Sequence, residues 1–492
     1  MNKTKKFLTT LIVSMLVVSN VGAMASCDFL GNLGGNSGSN SVETFDPTKN
    51  GYANQTANDV VVPEGGYDGS AVTIKFSHTM GENLREVLDA YIPEFNKIYP
   101  NITIEHTQVG SYDDVRNTIV TELSAGNEPN MAYCYPDHVA LYNIAGAVVS
   151  MDNLITHKTL GLTDAQVADF IPGYYNEGKA FGDYEMYTMP FSKSTEVLYY
   201  NKTFFDENNL KTPTTWDEME ALCAQIKEID PNSIPLGYDS EANWFITMCE
   251  QLGSPYTTAA GNAEDHFLFD NETNRNFVAK YREWYEKGYV TTQDIYGAYT
   301  SGLFVAQTGT RSYMSIGSSA GATHQRPSKV NNAYPFEVGI TTIPQANPKA
   351  PKVISQGPSI CIFKKDNVQE VIATWLLVKY LTTSVEFQAE FSMASGYVPV
   401  LKSVANNETY AKFLNSANGG DYIAALSAKA CLDQADAYYV SPAFKGSSTA
   451  RDEVGALMKY CLSTKAEGGK SVSQLIKEAF EDAIEECVYQ AK

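Results

Sequence analysis

The chain has 492 residues, 43% hydrophobic and 19% charged; a single core rarely grows past about 250–300 residues, so two domains are expected. Thirty-six Lys and Arg stand against 57 Asp and Glu, a formal charge of −21, which argues against nucleic acid, whose phosphates need dense basic tracts. Six histidines, with no H-E-x-x-H and no CxxC spacing, argue against a zinc enzyme, and neither metal nor cofactor is expected.

Met1 to Lys6 is basic, Phe7 to Val21 is an apolar run, and small residues follow up to Cys27. The run is too short to cross roughly 30 Å of hydrocarbon, and residues 1–26 read as a secretory signal. Met24-Ala25-Ser26-Cys27 resembles a bacterial lipobox, which predicts a lipid on the Cys27 thiol. An ordinary cleavage after Ala25, with Cys27 incidental, is the competing reading. Residues 27–70 hold Gly31-Asn32-Leu33-Gly34-Gly35-Asn36-Ser37-Gly38-Ser39-Asn40-Ser41, too poor in apolar surface to fold. They predict a flexible tether reaching about 35–40 Å. No later segment approaches transmembrane length, so the expected address is the outer face of the cell membrane, held by lipid alone. Seven further cysteines (Cys134, Cys223, Cys249, Cys361, Cys431, Cys461 and Cys487) are scattered in apolar contexts. Buried thiols are expected, with a single bridge left open.

Val72-Thr73-Ile74-Lys75-Phe76-Ser77-His78 alternates with period two and predicts a half-buried strand. Leu84, Val87, Leu88, Tyr91, Ile92, Phe95 and Ile98 then share one helical face before Pro100, and Ile102-Thr103-Ile104-Glu105 is a second strand. Strand, helix and strand make a βαβ unit and hence a parallel sheet. Thr215-Trp216-Asp217-Glu218 is a capping box opening a helix with Met219, Leu222, Ile226 and Ile229 inward. Asp366 opens another helix, and Ser471 caps the last one, which buries Leu475, Ala479, Phe480 and Ile484. The fold class is α/β.

Gly317-Ser318-Ser319-Ala320-Gly321 matches the nucleophile elbow of α/β-hydrolases. That chemistry needs a later histidine base, and His324 is the last one; a small-residue turn approaching a ligand fits better. Gly469-Lys470-Ser471 lacks the first glycine of a phosphate loop, because Thr464 stands there. His138 and His157 are too far apart for one helical face. A pair of Asp or Glu residues for glycan hydrolysis stays open, since so many acids guarantee chance pairs. What stands out is 31 tyrosines and 4 tryptophans. Many lie in loops beside Gly or Pro, among them Tyr112, Tyr133, Tyr135, Trp244, Tyr256, Tyr397, Tyr438 and Tyr439. Aromatic faces stack on sugar rings while their polar tips donate hydrogen bonds.

Met189-Pro190-Phe191-Ser192-Lys193-Ser194-Thr195-Glu196-Val197-Leu198-Tyr199-Tyr200-Asn201-Lys202, followed by Pro213-Thr214-Thr215-Trp216-Asp217-Glu218, resembles the extracellular solute-binding proteins, family 1, of ABC importers. Phe95 to Pro100, the Gly396-Tyr397-Val398-Pro399-Val400 turn and the closing amphipathic helix agree with it. The resemblance runs over residues 71–492. It implies a two-lobed, type II periplasmic-binding-protein-like fold, with residues 71–188 and 355–400 in lobe 1 and 189–354 and 401–492 in lobe 2. Crossings between lobes are implied near Tyr187–Ser192, Val353–Gly357 and Tyr397–Leu401.

Such a protein is not an enzyme; it closes on a solute and hands it to the permease's transmembrane subunits, and a monomer is expected. The branch that binds sn-glycerol 3-phosphate and its diesters resembles this chain most. It implies ligand contacts at Tyr112, Ser194, Ser318 or Ser319, Gly357, Tyr397 and Arg451, with Asp137 where that branch has glutamate and Trp244 near a pocket-wall tryptophan. Arg451, in a polar turn entering a helix, could hold a phosphate bidentately, or instead pair on the surface with Asp452 or Glu453. Asp137 or Glu196 could accept from polyol or sugar hydroxyls. The solute expected is therefore a carbohydrate or a polyol phosphate. The alternative is a surface glycan-degrading enzyme using an Asp/Glu pair.

Overall fold

The computed structural model of the chain describes residues 60–181, 185–416 and 422–492. The expected signal, Cys27 and the tether as far as residue 59 lie outside them. In chain order the strands are β1 (Val72–His78), β2 (Ile102–Gln108), β3 (Met131–Cys134), β4 (Met189–Pro190), β5 (Glu196–Asn201) and β6 (Leu236–Tyr238). Then come β7 (Val290–Thr292), β8 (Met314–Ser318), β9 (Val338–Thr341), β10 (Val353–Ile354), β11 (Ser359–Ile362) and β12 (Tyr438–Tyr439).

Alternation decides the first strand: Val72, Ile74, Phe76 and His78 are buried while Thr73 and Lys75 face out. The helix Glu82–Ile98 carries β1 to β2, which run parallel with Val72 opposite Ile102. Leu88 and Phe95 are its buried residues, but Ile98 at its end is 59% exposed. The full first sheet has the order β2-β1-β3-β11-β4, with β11 antiparallel to both neighbours. A second sheet has the order β7-β6-β8-β5-β9, parallel through β7-β6-β8 and antiparallel around β5. The capping box at Thr215 forms as expected, with its hydroxyl accepting from the Glu218 N–H at 3.2 Å.

Each sheet has its own core, so the molecule is two-lobed. Val72, Phe76, Phe95, Trp375 and Phe387 belong to the first core; Trp216, Trp244, Trp284, Leu457 and Phe480 belong to the second. The chain returns to the first lobe through the helices Val368–Thr383 and Val385–Ser395. Lobe 1 also takes in Met189–Pro190, paired with β11, and Val404, Tyr410 and Phe413, packed into its core. The sequence reading places both stretches in lobe 2. The seven described cysteines are all buried and free.

The chain crosses between the lobes at residues 192–197 and 354–359 and again between Phe413 and Ala437, while Tyr397–Leu401, where the resemblance implied a crossing, stays in lobe 1 with Val398, Val400 and Leu401 in its core. Ser194 and Gln356 exchange both backbone bonds at 2.9 Å, and Lys193 and Val398 exchange theirs at 3.1 and 2.6 Å. Gly357 sits beside this crossing at φ +90°, where a Cβ would come within 2.4 Å of the Ser192 carbonyl oxygen. Only glycine fits there.

At the end of β1, His78 Nδ1 accepts from the Met80 N–H at 3.1 Å, so its proton sits on Nε2. That nitrogen is 2.9 Å from His106 Nδ1, and His106 Nε2 reaches Asp89 at 2.9 Å. A charged His78 would turn a donor against Met80. Burial, with His106 and Arg85 beside it, pushes its pKa down to about 3. The unfolded ring titrates near 6.5, so stability is intact above that value and lost as pH falls below it. Between pH 7 and 5 we expect the native protein to lose about 2 kcal/mol more than a His78→Gln variant. Denaturant unfolding of both at the two pH values measures the difference; equal slopes would show that His78 charges freely in the fold.

Candidate functional site

Where the lobes face each other, beside the crossing segments, lies a cavity of about 270 Å³. Lobe 1 contributes Tyr112 at the start of the helix Tyr112–Ala125, and Tyr135 and Asp137 at the start of the helix Pro136–Asn143. Lobe 2 contributes Tyr256, Thr257 and, from the first turns of the helix Ser447–Ser463, Arg451. The floor is the crossing itself, Ile354 to Gln356. The lobes are closed on one another: Arg116 of lobe 1 donates to the Ser448 hydroxyl of lobe 2 at 2.8 Å and lies 3.8 Å from Asp452.

Three of the residues implied by the resemblance, Tyr112, Asp137 and Arg451, line this cavity together. Tyr397 joins them at one remove, its hydroxyl 3.1 Å from that of Tyr112. Burial pushes both phenols up, so both stay neutral. Gly357 does not line the cavity; it sits in the crossing next to Gln356, which does. Ser194 and Ser318 form a separate hydroxyl pair at 3.4 Å, where lobe 2 leaves the crossing.

Ser319 is turned inward. Its hydroxyl accepts from the Thr195 N–H at 3.2 Å, and the residue is fully buried. Trp244 does not wall the cavity. It lies fully buried in the lobe 2 core, stacked on Tyr238 at 4.8 Å and packed against Tyr281 at 4.2 Å. The helix Glu241–Leu252 that carries it is buried on most sides and turns Ile246, not Trp244, to the cavity. Glu196 is likewise withdrawn: it accepts from the Tyr238 hydroxyl at 2.6 Å and from Asn243 Nδ2 at 3.0 Å, and does not reach the cavity.

The charges sort themselves by partner. Glu177 lines the cavity but is spent on Lys193 at 2.7 Å and on the Ser355 hydroxyl at 3.0 Å. Asp113 and Asp452 flank Arg116 at 3.4 and 3.8 Å. Among the described residues this leaves Asp137 and Arg451 as the lining charges with no ion partner within 4 Å. Arg451 therefore does not form the surface pair with Asp452 or Glu453 that its neighbours in sequence offered. It donates instead to Asn243 Oδ1.

The lining also holds buried polar atoms with no protein partner: the Tyr256 hydroxyl, Thr257 Oγ1, His138 Nδ1 and Gln356 Oε1. Buried polar atoms are nearly always hydrogen-bonded, and each orphan costs about 1–3 kcal/mol. A hydroxyl-bearing solute in the cavity would satisfy them. Sequence reading singled out Tyr135 and Tyr256 only as loop aromatics, and it missed Glu177, Thr257 and Gln356. The one local signal was the X-Pro and Pro-X steps at Tyr135-Pro136 and Pro255-Tyr256.

No group of three or more His, Cys, Asp or Glu residues that could hold a metal occurs among the described residues. Nor is any described helix long and apolar enough to cross a membrane.

The family model of the bacterial extracellular solute-binding proteins matches residues 90–415. The sn-glycerol-3-phosphate-binding periplasmic protein UgpB of Escherichia coli (strain K12) is 25% identical over 182 residues, 36% of this chain. The chain spans 40% of the length of that relative. Among solved structures, UgpB from Mycobacterium tuberculosis in complex with glycerophosphocholine superposes with a TM-score of 0.67 at 16% identity, over 84% of this chain and 97% of that one. The cyclic alpha-maltosyl-1,6-maltose binding protein from Arthrobacter globiformis gives 0.65 at 19% identity, over 85% and 99%. Two lobes, a crossing of three segments and a family match over most of the chain lead to one conclusion: the chain belongs to the bacterial extracellular solute-binding proteins.

Proposed function

We propose that this protein is the lipid-anchored receptor of an ABC importer, held by Cys27, and that it captures a small polyol phosphate or phosphodiester by closure of its lobes. A carbohydrate is the other solute class in view, since maltose-type sugars and glycerol phosphates are both bound by the relatives named above. The observation that carries the phosphate reading is Arg451, a guanidinium at the cavity wall with no ion partner, next to orphaned hydroxyl and amide groups. Across the cavity Asp137 and the tyrosines offer acceptors and ring faces to hydroxyls or to a cationic head group. Size favours the same class. Small-molecule sites run to about 300–1,000 Å³, and one near 270 Å³ suits a glycerol phosphate better than a long oligosaccharide. Delivery to the permease follows from closure: the closed state is the one a transmembrane partner reads, and the solute stabilises it by its differential affinity.

A calorimetric series with sn-glycerol 3-phosphate, glycerophosphocholine, inorganic phosphate, maltose and a longer oligosaccharide tests this reading. We expect the phosphate compounds to bind. Arg451→Gln should weaken them roughly 10- to 150-fold, because a hydrogen bond to a charged group is worth about 1.5–3 kcal/mol. Binding of the sugars alone, or a loss within twofold in the variant, would discard the phosphate contact and leave a carbohydrate receptor. Cys27→Ser should release the protein from membranes, read by fractionation.

A further inference from the structure

Arg451 is held from behind by a short line of polar groups that runs into the lobe 2 core. Glu196, 1% exposed, accepts from the Tyr238 hydroxyl on one oxygen and from Asn243 Nδ2 on the other. Asn243, 2% exposed, turns its Oδ1 outward to accept from Arg451 Nη2. We propose that Asn243, anchored by Glu196, is the positioning residue that fixes the direction of the Arg451 guanidinium and so sets the cleft's preference for anionic solutes.

The polarity of the line makes it directional. A carboxylate only accepts and a guanidinium only donates, so the amide between them satisfies both in one orientation alone. A flipped amide would set oxygen against carboxylate and N–H against guanidinium, losing two bonds at once. The backbone that carries Asn243 is fixed as well, its N–H donating to the capping Ser240 hydroxyl at 3.2 Å. The Tyr238 ring is stacked on Trp244, which pins the far end of the line to the core.

Glu196 is also an expensive group to keep. No cation lies within 4 Å of it among the described residues, and burial pushes its pKa up to about 7. The hydrogen bonds from Tyr238 and Asn243 and the more distant charge of Arg451 act against that rise, while Asp239 adds to it. Tyr439, from β12, faces it as well. Its loss would leave the buried Tyr238 hydroxyl and Asn243 Nδ2 without their acceptor, and through Asn243 it is tied to the cavity-facing guanidinium.

The inference rests on the phosphate reading, and its test separates the two. The probe is glycerophosphocholine, whose phosphodiester charge does not change near neutral pH, titrated calorimetrically into the wild type, Asn243→Leu, Arg451→Gln and the double variant. We expect each single change to weaken binding roughly tenfold or more, and the double variant to lie within twofold of Arg451→Gln, because both changes remove one interaction. If Asn243→Leu does not fold, Asn243→Ser carries the same comparison. Binding within twofold of wild type in the Asn243 variant, with Arg451→Gln strongly weakened, would overturn the positioning role and leave Arg451 as the anion contact. No effect of Arg451→Gln, or no binding of the probe, would overturn both.

A second readout needs no solute: in carboxyl-carbon NMR of the free protein, Arg451→Gln and Asn243→Leu should each raise the Glu196 midpoint. A midpoint unmoved by either change would also overturn the coupling.

Discussion

Replacement of Lys193 by alanine is expected to destabilise the protein by about 3–5 kcal/mol, the usual cost of leaving a buried charge without its partner. The Lys193 side chain is 0% exposed and that of Glu177 is 2% exposed, with 2.7 Å between them. All three ammonium protons are used, on Glu177, on the Gly357 carbonyl at 3.1 Å and on the Ser359 hydroxyl at 3.1 Å. Without them Glu177 keeps only the Ser355 hydroxyl. Lys193 belongs to one crossing segment and Ser355 to another, so this carboxylate ties two of the three crossings to the end of the helix Pro172–Glu177. The double variant Glu177→Leu/Lys193→Met should recover most of the loss, since a buried pair contributes little net stability over well-packed apolar residues. Denaturant midpoints at a shared slope measure both. A loss below about 1 kcal/mol in Lys193→Ala, the range of exposed ion pairs, would mean that the crossing is open to water.

Trp244→Ala carries a loss of similar size, about 3–5 kcal/mol, as for other large aromatic truncations in cores. Its ring is enclosed by Tyr238, Tyr281 and, at 6.3 Å, Trp216, so the space it leaves cannot open to solvent. A tryptophan on a cavity wall would behave differently, because water would enter the vacated volume and the loss would stay near 1 kcal/mol or below. The same unfolding experiment therefore places Trp244 in the core or at the cleft. Fluorescence quenching by acrylamide gives an independent check: Trp244 should be inaccessible to the quencher.

The sequence by itself determined what depends on neighbours within one turn or one strand. Alternation set β1, the Thr215–Glu218 box opened its helix, and the 189–218 motifs carried the family and, with it, the two-lobed fold. It also placed Tyr112, Asp137 and Arg451, which do meet in one cavity. Only the tertiary structure decided which way the other side chains face. Trp244 and Glu196 sit in stretches buried on nearly all sides, where periodicity carries no sign of inward or outward. Glu177 gains its meaning from Lys193 and Ser355, and Arg451 from Asn243, 208 residues earlier. A carboxylate's partner, unlike a helix cap, is chosen by where the folded lobes bring their loops, and chain spacing holds no record of it.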